Sequence, residues 1–257
     1  MARVLILRTA GTNCDRETAH AFTRAGATVE ARHLKELVES PDRVLDYGIL
    51  VFPGGFTYGD DLGAGTIFAS RMRRDLLPRI VSHVERGGLV LGICNGFQIL
   101  VKSGLLPAID GPVAPGEATL AGNESNRFEC RWVWLEATSD LSPFLRRGDR
   151  IHCPVAHAEG RFVTRDDATL ARLEAAGQVV VRYTGPAGEA DPPYPLNPNG
   201  SARAVSGVCD PTGRILGLMP HPERHLEPVH HARWTREGLA DRGDGLALFR
   251  NAVAAVG

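Results

Sequence analysis

Along the first hundred residues, short runs of consecutive apolar residues alternate with longer amphipathic stretches. Residues 4–7, 28–33, 45–52 and 89–93 read as strands, and residues 14–25, 68–85 and 97–103 carry helical periodicity. Such alternation predicts an α/β fold with a mostly parallel central sheet and helices on both faces. Active residues are then expected at strand carboxyl ends. Beyond residue 116 the runs become shorter and richer in aromatic and β-branched residues, at 128–135, 161–163, 178–183, 202–208 and 215–219. This second half reads as additional strands that extend or decorate the sheet. Residues 185–200, dense in Pro and Gly, read as loop, because proline removes a backbone donor and fixes φ. With no break in composition and no repeat, residues 1–257 are expected to form a single domain.

Composition narrows the function classes. At 257 residues, 43% hydrophobic and 23% charged, the chain has the make-up of an ordinary globular protein. Its 29 Lys+Arg against 30 Asp+Glu create no global field for nucleic acid or an anionic membrane. No apolar run approaches the roughly 18 to 20 residues of a membrane span. The apolar stretch in residues 1–8 is too short for a signal peptide and reads as a strand, so a cytoplasmic address is expected. Five scattered cysteines (Cys14, Cys94, Cys130, Cys153, Cys209), with no Cys-x-x-Cys pair, argue against a disulfide framework or a zinc knuckle.

The candidate chemistry centres on Gly92-Ile93-Cys94-Asn95-Gly96, where an apolar strand turns directly into an apolar helix. Flanking glycines leave room for a nucleophile elbow, and a thiol at a helix N-terminus is favoured as thiolate. A buried core cysteine is the bland alternative. His221-Pro222-Glu223, after the apolar run 215–219, offers a base and an orienting carboxylate. His152, His157, His225, His230 and His231 compete for the role of base. Gly54-Gly55 follows the third strand, and its N–H groups together with that of Asn95 could form an oxyanion hole suited to acyl transfer. The cluster Glu223, His225, Glu227, His230 and His231 lacks His-Glu-x-x-His spacing, so no metal site is expected. Residues 230–244, rich in Arg, Asp and Glu, read as a solvated loop or a partner interface.

Together the cysteine elbow, the Gly-Gly-Phe loop and His-Pro-Glu resemble the class I (triad) glutamine amidotransferases. The stretches at 11–15, 54–60, 154–161, 197–201 and 217–224 resemble their PurQ-type branch, the glutaminase subunits of phosphoribosylformylglycinamidine synthase. The resemblance runs from residue 3 to about 253, with a longer segment at 224–244 than the shortest members have. It implies a flavodoxin-like fold and a catalytic set of Cys94, His221 and Glu223. It also implies substrate contacts by Gly54, Gly55, Asn95 and Gln98. Cys94 would attack the carboxamide of L-glutamine, giving a glutamyl thioester and ammonia, in purine (IMP) biosynthesis. No cofactor is implied for this chain; ATP and Mg²⁺ belong to a large PurL-type synthetase subunit, joined by a small PurS-type bridging subunit. Low activity of the isolated chain is expected, rising when the partner closes the oxyanion loop. Two rival readings are a stand-alone cysteine hydrolase of the same fold and a catalytically silent binding subunit.

Overall fold

The computed structural model describes residues 1–112 and 116–257. Its first half runs β1 (Arg3–Arg8), α1 (Asp15–Arg24), β2 (Thr28–His33), α2 (Leu34–Glu39), β3 (Ile49–Phe52), α3 (Thr66–Asp75), α4 (Leu77–Glu85), β4 (Leu89–Ile93) and α5 (Asn95–Ser103). The second half adds β5 (Ala118–Gly122), β6 (Glu129–Ala137), β7 (Arg150–His157), β8 (Glu159–Thr164), α6 (Asp167–Ala175), β9 (Val179–Thr184), β10 (Val205–Cys209), β11 (Ile215–Leu218), α7 (Trp234–Glu237) and α8 (Leu246–Val256).

Among the described residues, nine strands make one sheet in the order β2-β1-β3-β4-β11-β10-β9-β6-β7, and β5 pairs with β8 separately. The first five are parallel neighbours, the doubly wound arrangement expected from the sequence. The other four pair antiparallel and extend the sheet. Strands β3, β4 and β11 are buried at every position, so both faces of the sheet centre are covered. Phe22 of α1 meets Phe249 of α8 edge-on at 5.0 Å, and Phe52 of β3 meets Phe68 of α3 at 5.7 Å.

Several boundaries differ from the sequence reading for identifiable reasons. The third strand begins at Ile49 rather than residue 45, because Pro41–Asp46 coils into a 3₁₀ turn that buries Val44. The periodic stretch 68–85 is two helices, broken at Leu76; Pro78 opens the second, where its missing N–H is harmless. Cys14 caps α1 instead of entering it, with Asp15 and Glu17 in the positive first turn. The run at 202–208 starts as a 3₁₀ turn, with Arg203 at φ 47°, before β10. Strands β5 and β7 and helices α2, α6, α7 and α8 were not anticipated.

Candidate active site

β4 and β11 are parallel neighbours, with Gly92 opposite Gly217 and Ile93 opposite Leu218. The residues just past their carboxyl ends therefore meet. Beyond β4 the chain turns at Cys94, whose φ of 51° and ψ of −105° lie where a side chain is strained. Its N–H donates to the Leu218 carbonyl at 2.8 Å, tying the elbow to β11. Gly96 is indispensable to this turn, because a β-carbon there would collide with the Phe52 carbonyl oxygen. The Cys94 thiol faces the Ala156 carbonyl at 3.8 Å and is 5% exposed.

Beyond β11, Met219-Pro220 leads to His221, whose N–H donates to the Pro154 carbonyl at 2.8 Å. Its Nδ1 donates to Glu223 Oε1 at 2.6 Å, and neither side chain is more than 2% exposed. With Nδ1 engaged, the buried Nε2 is left without a partner. Burial opposes a charge on His221, but the Glu223 carboxylate and the facing thiols Cys94 and Cys14 outweigh it and hold the imidazole pKa well above its ordinary value. The pair is thus built to accept a proton.

Gly54 and Gly55 follow β3. The Gly54 carbonyl accepts from Cys14 N–H at 3.2 Å and Phe56 N–H donates to the Gly11 carbonyl at 2.9 Å, leaving the Gly55 N–H outside that ladder. Asn95 opens α5 beside the elbow. Its Oδ1 accepts from Thr57 Oγ1 at 2.7 Å and Thr57 N–H at 3.3 Å, while its Nδ2 donates to Asp60 Oδ1 and Gln98 Oε1. Tyr58, Gly59 and Asp60 all have positive φ, and this side chain pins that unusual loop against α5. Burial raises the Asp60 pKa above the carboxylate norm. Gln98 is a buried strut: its Oε1 accepts from Asn95 and its Nε2 donates to the Glu159 carbonyl.

The competing histidines are engaged elsewhere. His157 donates from Nδ1 to Asn123 Oδ1 at 3.0 Å, and burial pushes its pKa down to about 3. His225 Nδ1 donates to the His152 carbonyl at 2.6 Å, and His152 Nδ1 meets His231 Nε2 at 3.0 Å. Trp132 packs against all three rings. Asp244 Oδ2 accepts the His152 N–H at 3.0 Å, so these residues clamp the 225–244 segment to β7. His230 stays in its own turn, with Nδ1 accepting from Leu226 N–H.

One neighbour of Cys94, His221 and Glu223 did not emerge as a site residue from the sequence. Cys14 accepts from Arg224 Nη2 at 3.1 Å and lies close to His221, and burial raises its pKa. Its only signal was its place in the Gly11–Asp15 stretch, remote in sequence from every other site residue. Arg224, fixed on its other side to Glu17 at 3.2 Å, joins α1 to the His-Pro-Glu turn.

Residues 1–256 match the CobB/CobQ-like glutamine amidotransferase domain. The phosphoribosylformylglycinamidine synthase subunit PurQ of Dehalococcoides mccartyi is 47% identical, covering 98% of this chain and 96% of that protein. The protein of the same name from Archaeoglobus fulgidus is 42% identical over the same shares. A chain in the structure of PurLQS from Thermotoga maritima superposes with a TM-score of 0.74 at 31% identity, covering 100% of both chains. With a nucleophile elbow, a buried His–Glu pair and a glycine loop converging at the carboxyl edge of a doubly wound sheet, this chain belongs to the CobB/CobQ-like glutamine amidotransferases, in their PurQ branch.

Proposed function

We propose that the chain is the glutaminase subunit of a phosphoribosylformylglycinamidine synthase, hydrolysing L-glutamine to glutamate and ammonia for a synthetase partner. The observation that carries the reading is the buried His221–Glu223 pair, 2.6 Å apart, placed past the end of the strand next to the Cys94 elbow. His221 Nε2 takes the Cys94 thiol proton, and the thiolate attacks the glutamine carboxamide carbon. The tetrahedral oxyanion is held by the Gly55 and Asn95 N–H groups, worth about 100- to 1,000-fold in rate per donor. The imidazolium returns its proton to the leaving nitrogen, the C–N bond breaks, and ammonia departs from the thioester. Water, deprotonated by His221, then attacks the thioester; glutamate leaves and the thiol is restored. Gly54 shapes the loop, and Gln98 shapes the glutamine pocket by bracing Asn95 against β8.

Ammonia is useful to the acceptor only if it stays neutral and contained. The reading therefore includes a large PurL-type synthetase that uses ATP and Mg²⁺, a small PurS-type subunit between the two, and cytoplasmic assembly. No helix among the described residues is long and apolar enough to cross a membrane. The test is co-purification with the synthetase, followed by glutamine-dependent formation of phosphoribosylformylglycinamidine. Cys94→Ala should abolish product from glutamine while leaving product from added ammonium intact. Glutamine-dependent product from that variant would end the reading.

A further inference from the structure

The triad shares its pocket with a second thiol. One ligand-capable atom from each of Cys14, His221 and Glu223 lies within 4.8 Å of the other two, and all three residues are buried. A β-carbon on Gly54 would sit 2.8 Å from His221 Cε1 and 3.0 Å from Cys14 Sγ, so imidazole and sulfur face one gap that only glycine leaves open. Two buried atoms of this group, His221 Nε2 and Glu223 Oε2, have no hydrogen-bond partner. Glutamine hydrolysis occupies Nε2 in turnover but gives no work to the Cys14 sulfur or to Oε2.

Thiolate, imidazole and carboxylate together form the donor set of zinc-class cations, whereas Mg²⁺ and Ca²⁺ take oxygen donors. A dication set against the Cys14 thiolate and the Glu223 carboxylate sums to zero charge, the condition under which ions are buried without a large penalty. We infer that Cys14, His221 and Glu223 form an inhibitory site for a zinc-class divalent cation, which stops glutamine hydrolysis by drawing the imidazole and the carboxylate out of the triad. The inhibition rests on the glutaminase reading; the binding does not. Metal–ligand bonds of about 2.0 to 2.3 Å place tetrahedral donors about 3.3 to 3.8 Å apart, so the cation takes the place of the proton between His221 Nδ1 and Glu223 Oε1, now 2.6 Å apart, while Cys14 Sγ closes on it and the proton is left on Nε2, which can then no longer accept from Cys94. The Arg224 guanidinium then leaves Cys14 and remains with Glu17, which it already contacts at 3.2 Å. Water completes the coordination. Binding releases the thiol proton, and the imidazole proton where His221 is charged, so affinity falls in acid.

The test uses the full chain carrying Cys130→Ser, which removes the exposed thiol. Cobalt(II), the spectroscopic stand-in for zinc, is titrated while sulfur-to-cobalt charge-transfer absorption is followed, and ammonia release is measured against free Zn²⁺. With Cys94→Ser the absorption should persist, because its sulfur is Cys14; with Cys14→Ala or Cys14→Ser it should vanish. Relative to each protein's own metal-free rate, the zinc concentration for half-inhibition should rise at least about 10-fold when Cys14 is replaced. Mg²⁺ should not inhibit, and a chelator should restore the rate. Absorption that survives loss of Cys14 but not loss of Cys94, or equal zinc sensitivity of the Cys14 variants and the parent, would overturn the site. If the chain turns over glutamine, alone or with the synthetase added, but shows no cobalt band, the metal site fails and the glutaminase reading stands; if it shows the band but no turnover even with the synthetase added, the reverse holds.

Discussion

Glu223→Gln removes one negative charge from the triad while keeping its shape. His221 Nδ1 and Glu223 Oε1 are 2.6 Å apart, with the two side chains 2% and 0% exposed, so solvent screens little of their interaction. When the imidazole takes the thiol proton, its charge faces the carboxylate at roughly 4 Å between centres. At an effective dielectric constant of about 20 this contributes about 4 kcal/mol. At about 1.4 kcal/mol per decade, kcat should fall about 1,000-fold. KM should hold nearly constant, since Glu223 lies behind the imidazole. Folding should survive, because Glu223 Oε2 has no hydrogen bond to lose. The pH dependence has a definite sign. Burial disfavours the His221 charge, yet Glu223 overrides it and raises the folded pKa above the ordinary imidazole value of 6.5. The parent's stability advantage over the variant is therefore complete below pH 6.5 and disappears as pH climbs through the folded pKa. Coupled ammonia detection in the assembled complex and urea melts over a pH series measure the two effects. A kcat loss under 10-fold, with melts that differ by the same amount at every pH, would refute the electrostatic role.

Gly54→Ala should fold but lose most glutaminase activity, since its β-carbon would press on His221 Cε1 and Cys14 Sγ; an unchanged kcat would show that the imidazole has slack. Asn95→Ala keeps the backbone N–H but releases both Thr57 bonds, costing roughly 2 kcal/mol of stability and loosening loop 57–60, which hydrogen exchange of that loop would report. Acid should destabilise the protein between pH 6.5 and about 3, because unfolded His157 takes up a proton that buried His157 refuses. His157→Gln should flatten that slope by up to about 1.4 kcal/mol per pH unit in chemical melts. Isolated chain should release ammonia slowly and accelerate on mixing with the synthetase; equal rates would remove the coupling between assembly and turnover.

Strands β1, β3 and β4 were legible because their centres are buried on both faces and read as continuous apolar runs, whereas edge strand β2 has no buried residue. Strand β7 was not legible, although its burial alternates. Ile151, Cys153, Val155 and His157 point inward, but Pro154 and two histidines disguise the period. Pro154 is tolerated because β7 is the sheet's edge strand. Helix α6 carried a cap signal, Asp166 accepting from Thr169 N–H at 2.7 Å, inside a stretch of weak amphipathicity. In the site, Cys94 and His221-Pro222-Glu223 announced themselves through local glycine and strand context. The residues alone left His221 among its competitors until the family resemblance singled it out; the β4–β11 register, a long-range pairing, supplies the physical reason. Gln98, one helical turn beyond Cys94, also braces Asn95 and the Glu159 carbonyl, contacts that its position in the sequence did not announce.

The placement of β11 beside β4 also governs when the enzyme can exist during its own synthesis. A growing polypeptide can fold its first four strands around a thiol that has no base, because the partner strand and its imidazole emerge only after the whole antiparallel extension has been made. Under the proposed mechanism nascent chains cannot squander glutamine, and the segment from Ile215 onward acts as the key that arms the thiol.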